Sequence, residues 1–297
     1  MADLRKPVLP LRSAVSATLP QRESSTREFS FSTADFERVR KLIYQHAGIS
    51  LSPVKQDMVY SRLARRLRAT GKQTFADYLD ALEKNGGDEW ERFVNSLTTN
   101  LTSFFREPHH FPIFAEHLRK LGSHRPIRVW CSAASTGEEP YSIAITVAET
   151  FGSNCSHVSI VASDLDTNVL ATAQKGVYPI ERVEKLAPER LRKFFLRGTG
   201  AQEGYVSVRP ELKSMIQFQR LNLLDQSYAV KGPLDVIFCR NVMIYFDKPT
   251  QYKILARFAP MMQPDGLMFA GHSESFLHAA DLFKSQGKTV YTLARAR

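Results

Sequence analysis

Glu138 and Glu139 stand side by side in RVWCSAASTGEEPYS (residues 128–142), where an apolar run ends in a small-residue turn and a helical pattern begins. A strand, a tight turn and a helix in that order is how nucleotide-binding units begin. This turn, however, holds one glycine, Gly137, where a phosphate cradle needs several. Two carboxylates where a pyrophosphate would sit argue for a cationic ligand, such as a nucleoside with a positive or amino-bearing tail. Their other reading is simple complementarity to a helix dipole, about 0.3–1 kcal/mol. Asp164, in VASDLD, closes the next apolar run 27 residues beyond Gly137. A carboxylate there matches a ribose diol, two acceptor oxygens to two hydroxyl donors, near the roughly 20-residue spacing expected for that role. A solvated loop acid or a helix cap is the alternative. A third run leads into Asn222 and Asp225 (LNLLD), and a fourth into Arg240, Asn241 and Tyr245 (CRNVMIYF).

Metal and disulfide chemistry are not expected. Cys131, Cys155 and Cys239 form no CxxC pair, and Cys131 and Cys239 each close an apolar run, as reduced thiols of a cytoplasmic protein would. His109 and His110 are adjacent, and adjacent side chains on a helix do not converge on one ion.

The elements that must carry these residues fall into two groups. From Phe31 to about Asn95 the pattern is helical, with Ser32 or Thr33 as N-cap, Phe36, Val39 and Ile43 on one face and Gly48 as a stop. In the next segment Val59, Leu63 and Leu67 recur every four residues, and two short helices follow, broken at Gly86-Gly87. After Pro126, β-rich runs (IRVWC, VSIVAS, SMIQFQ, LDVIFC, GLMFAG, TVYTLA) alternate with helical ones. That alternation predicts an α/β, doubly wound, mostly parallel sheet in which ligands bind beyond the carboxyl ends of the strands. The short connection before TVYTLA predicts an antiparallel edge strand at the end. Residues 176–214 interrupt the rhythm with a charged helix (ERVEKLAPERLRKFF) and a hairpin-like pair around glycines, a small β-containing insertion. The expected division is therefore a disordered tail (1–28), a helical domain (29–95), a linker contributing to the site (96–126) and the α/β domain (127–297). The tail shows no signal-peptide pattern, and no run of 18–20 apolar residues is present.

Four blocks in order, TTNLTSFFRE, ASTGEEPYSIA, VASDLD and FCRNVMIYFDK, resemble the CheR family of chemotaxis receptor methyltransferases, and the likeness runs from about Phe31 to the C-terminus. The resemblance implies a Rossmann-like enzyme that uses S-adenosylmethionine, releases S-adenosylhomocysteine, and esterifies glutamates on chemoreceptor cytoplasmic helices. Carried over, it implies cofactor contacts from Asn100, Thr102, Arg106, Glu139, Asp164, Asn222, Leu223, Cys239 and Arg240, with Glu138 and Asn241 as neighbours. Arg106 and Tyr245 are implied to flank the transferring methyl as the catalytic pair. The nucleophile is a substrate carboxylate, already ionised because an ordinary Glu titrates near roughly 4.3, so no general base is needed. A structural ion pair of Arg106 with Glu107 or Glu116, and a half-buried Tyr245 with a satisfied hydroxyl, are the competing readings.

Net charge is +10, and residues 55–72 carry six Lys or Arg against one Asp. Charge so concentrated implies an acidic partner. The resemblance makes that partner an acidic receptor bundle met by Arg62, Arg65, Arg66 and Arg68; a solvated basic face is the alternative. It also makes the insertion a binding site for the receptor's C-terminal tail peptide by strand addition. A nucleic-acid methyltransferase suits the charge, but CRNVMIYF lacks the Asn/Asp-Pro-Pro-Tyr motif of amino-methylating members and the basic helix lacks stacking aromatics. A binding-only module on the same fold is the non-enzymatic alternative; neither nucleic-acid binding nor membrane insertion is expected.

Overall fold

The computed structural model describes residues 27–152 and 155–294. Four helices come first: α1 (Thr33–Ala47), α2 (Gln56–Thr70), α3 (Phe75–Asn85) and α4 (Asp88–Leu97). Ser32 caps α1 in a reciprocal box with Asp35, each accepting from the other's backbone N–H at 3.1 and 2.9 Å, and Gly48 ends it at φ 69°. The predicted apolar faces form the core of this unit: Phe36, Val39 and Ile43 meet Val59, Leu63 and Leu67, all buried. Of the expected tail, residues 1–26 lie outside the described residues. Arg27 and Glu28 belong to the helical unit, Arg27 pairing with Asp57 and lying over the Tyr60 ring, and Glu28 pairing with Arg68.

The second unit begins with α5 (His110–Leu121), β1 (Ile127–Cys131), α6 (Glu138–Phe151), β2 (Val158–Asp164) and α7 (Thr167–Lys175). The insertion supplies β3 (Val177–Pro179), α8 (Pro188–Phe194), β4 (Phe195–Arg197), β5 (Tyr205–Val208) and α9 (Pro210–Lys213). The chain closes with β6 (Ile216–Arg220), β7 (Leu234–Cys239), α10 (Lys248–Phe258), β8 (Met262–Ala270), β9 (Phe283–Ser285) and β10 (Val290–Leu293). The main sheet has the order β6-β2-β1-β7-β8-β10-β9, parallel from β6 to β8. Its period-2 alternation sorts side chains into two cores. Val129, Cys131, Val236 and Phe238 face α5 and α6, while Trp130, Ile237 and Cys239 face α10. The order in which strands are added reverses between β1 and β7, which opens a crevice beyond their carboxyl ends.

Three details differ from expectation. The last strand is antiparallel, but β9 takes the edge and β10 lies between it and β8, the two joined through Gly287 at φ 85°. No helix separates β6 from β7. The charged helix of the insertion is split: Ile180–Arg182 is a single 3₁₀ turn and α8 starts afresh at Pro188, because proline tolerates a first helical turn but not an interior. The insertion's own sheet is antiparallel, in the order β3-β5-β4. No helix among the described residues is long and apolar enough to cross a membrane.

Candidate functional site

A cavity of about 470 Å³ opens beyond the carboxyl ends of β1, β2, β6 and β7. Its roof comes from the helical unit, Ala47 to Ser52 and Met58, and one wall is the segment from Leu97 to Thr102 together with Arg106. Of the predicted cofactor residues, Asn100, Thr102, Arg106, Glu139, Asp164, Asn222, Leu223, Arg240 and the neighbour Asn241 all line it, as does Tyr245.

The loop after β1 is shaped by its contacts. Ser135 adopts φ 49° and donates its N–H to Asp164 Oδ2 at 2.8 Å, while the Asp166 N–H reaches Oδ1 at 3.0 Å. Burial pushes the Asp164 carboxyl above its ordinary value, and the N–H groups of Asp166, Ser135 and Leu165 work against that rise. A carboxylate oxygen has two lone pairs, so each Asp164 oxygen keeps one acceptor site after these bonds. Gly137 sits at φ 101°, and a Cβ there would come within 2.6 Å of the Tyr178 hydroxyl. That hydroxyl donates to the Thr136 carbonyl at 2.8 Å, so the glycine makes room for the insertion rather than for a ligand.

Glu139 opens α6 and receives Arg240 Nη1 on Oε2 at 2.7 Å and the Cys131 thiol on Oε1 at 3.3 Å. Burial raises the Glu139 carboxyl and Arg240 opposes that. Arg240 also donates to the Arg106 carbonyl and lies 3.3 Å from Glu107. Burial alone would raise Glu107 too. Donors from Asn241 at 3.1 Å and from the His272 backbone at 3.1 Å, together with Arg240, hold its carboxyl down at about 2.

The segment FFRE is strained. Phe105 and Glu107 have φ 51° and 53°, so the backbone turns on both sides of Arg106. Of six non-glycine residues with positive φ among those described, two (Ser135, Asn241) line this cavity and two more (Phe105, Glu107) flank its lining residue Arg106, where such strain is commonly stored. Arg106 Nη1 donates to the Leu101 carbonyl at 2.7 Å, and no bond to Glu107 or Glu116 is formed; Glu116 pairs with Lys120 instead. Tyr245 makes one long bond, its hydroxyl to the Thr99 carbonyl at 3.4 Å.

Two predicted residues, the neighbour Glu138 and the cofactor contact Cys239, have side chains that do not line the cavity. Glu138 is fully buried outside the cavity, paired with Arg182 of the insertion at 2.9 Å and bonded by the Thr136 hydroxyl. Adjacent residues at a helix start diverge, so Glu138 and Glu139 do not share a ligand. The Cys239 side chain, also fully buried, points into the core under α10 and does not line the cavity. Most of the basic face of α2 is engaged within the chain. Arg62 donates to the Thr98 carbonyl at 2.6 Å, Arg66 forms a two-pronged pair with Glu89, and Arg68 pairs with Glu28; Arg65 is exposed without an ion pair among the described residues.

Three positioning acids escaped the sequence reading. Asp166 accepts from Asn100 and Thr98 at 3.0 Å each and caps α7. Glu274 accepts the N–H groups of Asn241 and Met243 at 2.9 and 2.7 Å and so fixes the turn after β7. Glu107 is the third. Asp166 and Glu107 lie inside the quoted blocks and were open to notice; nothing near Glu274 in sequence points to the turn it holds.

The donor set fits a nucleoside with a cationic tail: spare carboxylate acceptors stand at Asp164 and Glu139, and of the lining cations Lys55, Arg106 and Arg240, Arg240 is paired with Glu139 and Arg106 is held by the Leu101 carbonyl. Family models for "CheR methyltransferase, SAM binding domain" and "CheR methyltransferase, all-alpha domain" match residues 100–292 and 34–98. A chemotaxis protein methyltransferase of Salmonella typhimurium is 52% identical over 95% of this chain and 99% of its own. The Escherichia coli protein of that name is 53% identical over 91% and 94%. Chemotaxis protein methyltransferase 2 of Pseudomonas aeruginosa is 52% identical over 90% and 96%.

Proposed function

The chain belongs to the CheR methyltransferase family, and we propose on that premise that it methylates glutamate side chains of chemoreceptor cytoplasmic helices, forming glutamyl methyl esters. The observation that carries the reading is the meeting of Asp164, the Glu139–Arg240 pair, Arg106 and Tyr245 in one cavity. S-adenosylmethionine, when bound, supplies an electrophilic methyl on a sulfonium. Asp164 takes the ribose hydroxyls through its spare lone pairs, Glu139 faces the cationic methionyl end, and Asn222 and Leu223 lie by the adenine. Asn100, Thr102 and the Arg240–Asn241 turn complete the cradle.

Arg106 and Tyr245 orient the incoming carboxylate by hydrogen bonds and exclude water from it. Their present partners are backbone carbonyls, which a carboxylate replaces without leaving a buried charge unpaired. The clamp must stay modest, because stabilising the nucleophile in its ground state would raise the barrier. Neither nucleic-acid methylation nor a binding-only role is favoured by the family match. Transfer of a tritiated methyl to receptor-bearing membranes tests the reaction: release of label as methanol in base is expected, and a base-stable label would overturn the ester chemistry.

Two partner contacts belong to the same reading. The exposed Arg65 and Arg68 of α2 meet the acidic receptor bundle. The β4 edge of the insertion, whose Leu196 is exposed, accepts the receptor's C-terminal tail as an added strand. Receptors with and without the tail should differ in KM and not in kcat; equal KM values would remove the insertion from recognition.

A further inference from the structure

Soluble surfaces carry scattered apolar side chains without consequence. Here two of the most protruding line one opening, and a third stands beside it in the chain. Leu101 of the linker is 76% exposed and Ile244 of the turn after β7 is 50% exposed, yet both line the cavity that holds Asp164 and Arg106. Val54, 85% exposed, stands between the lining residues Ser52 and Lys55 of the helical unit. Each comes from a different part of the chain, so the convergence is a property of the fold and not of one apolar segment. Leu101 and Ile244 each neighbour a group read as reactive: the Leu101 carbonyl holds Arg106, and Ile244 precedes Tyr245.

We infer that Val54, Leu101 and Ile244 form an apolar collar that seats the receptor helix immediately around its methyl-accepting glutamate. The inference rests on the methyl-transfer reading of the cavity. A glutamate side chain is short, so the helix that bears it must press against the mouth before its carboxylate reaches Arg106 and Tyr245. Residues one turn away on the same helix face then lie on the rim. Apolar contact there removes water from the mouth, which a desolvated carboxylate nucleophile requires. The collar's contribution is also independent of ionic strength, in contrast to that of Arg65 on α2.

The test is methylation kinetics on a purified receptor cytoplasmic fragment with Val54→Ser, Leu101→Ser, Ile244→Ser and the triple variant. Each single change should raise the receptor KM about fivefold and the triple change considerably more. The ratio to wild type should hold between about 50 and 500 mM salt. The affinity for S-adenosylhomocysteine, measured by calorimetry, should stay unchanged, which also reports that the variants are folded. Leu101→Met should restore the wild-type KM. A triple variant with the wild-type KM would overturn the collar, and so would a parallel loss of cofactor affinity, which would make these residues part of the cofactor cradle. A wild-type protein that forms no ester on the receptor would overturn the underlying reading and the collar with it.

Discussion

Asp164 serves two backbone donors before any ligand arrives, the N–H groups of Ser135 and Asp166. Asp164→Asn keeps the shape but turns one acceptor into a donor, setting an N–H against an N–H. Calorimetry should show S-adenosylhomocysteine affinity falling by at least tenfold, the size of a lost bond to a charged group at about 1.5–3 kcal/mol; retained affinity would remove the ribose assignment. A second residue reports on pH. His110 is buried and its Nε2 meets the Lys288 carbonyl at 2.9 Å. Burial, helped by Arg240 and His109 and opposed by Glu107 and the Lys288 carbonyl, lowers its pKa to about 4. Because the folded value lies below the ordinary one of 6.5, the unfolded chain binds the proton first. Stability is therefore full above pH 6.5 and is lost as pH falls from there through about 4. His110→Asn, which retains a donor for Lys288, should flatten the melting temperature across that window; an unchanged slope would place the acid sensitivity elsewhere. The place of Asp164 at the cavity was legible from its position at the end of a predicted strand. That of His110 was not, since its partners are Lys288 and Thr289 in the turn before β10 and Phe269 of β8, far away in sequence.

At the scale of elements, the sequence correctly located the helices and most strands because caps, stops and apolar periods are local signals. What it left open was the local role of Gly137 and of the arginines on α2. Both depend on what packs against them. Gly137 yields to Tyr178 from the insertion, and Arg62 reaches from α2 to the Thr98 carbonyl at the start of the cavity wall. Arg62→Ala should consequently weaken cofactor binding as well as receptor methylation, because the wall from Thr98 to Thr102 loses its tie. Arg65→Ala should raise only the receptor KM, and do so most at low salt. Calorimetry beside receptor kinetics separates the two; a receptor-only effect of Arg62→Ala would return that residue to the docking face. The split of the insertion's helix at Pro188 was a missed local signal, since the proline is plain in the sequence.

Across the whole molecule, the cavity exists only because two units close on each other. Asn222 donates to the His46 carbonyl at 3.0 Å, the Ser50 N–H reaches the Tyr245 carbonyl at 2.8 Å, and the Tyr44 hydroxyl reaches Asp247 at 2.8 Å. Gly48, which ends α1 at φ 69°, lies so close to Leu224 that a Cβ would approach it to 2.8 Å. Pairs 176 residues apart are invisible to periodicity and caps, so the roof of the site could not be read from the sequence although both units could. The geometry makes a thermodynamic demand. A ligand walled by both units stabilises both, so S-adenosylhomocysteine at about 100 times its Kd should add about 2.7 kcal/mol to one shared unfolding transition. For a chain of this size that is roughly 4–5 °C in melting temperature. Gly48→Ala strains the αL position and pushes on Leu224, lifting the roof. In that variant the ligand-dependent shift should shrink and the transition should broaden or divide. Scanning calorimetry decides the matter: a wild-type trace in which the ligand moves only one of two separate transitions would mean that the helical unit does not close over the cofactor.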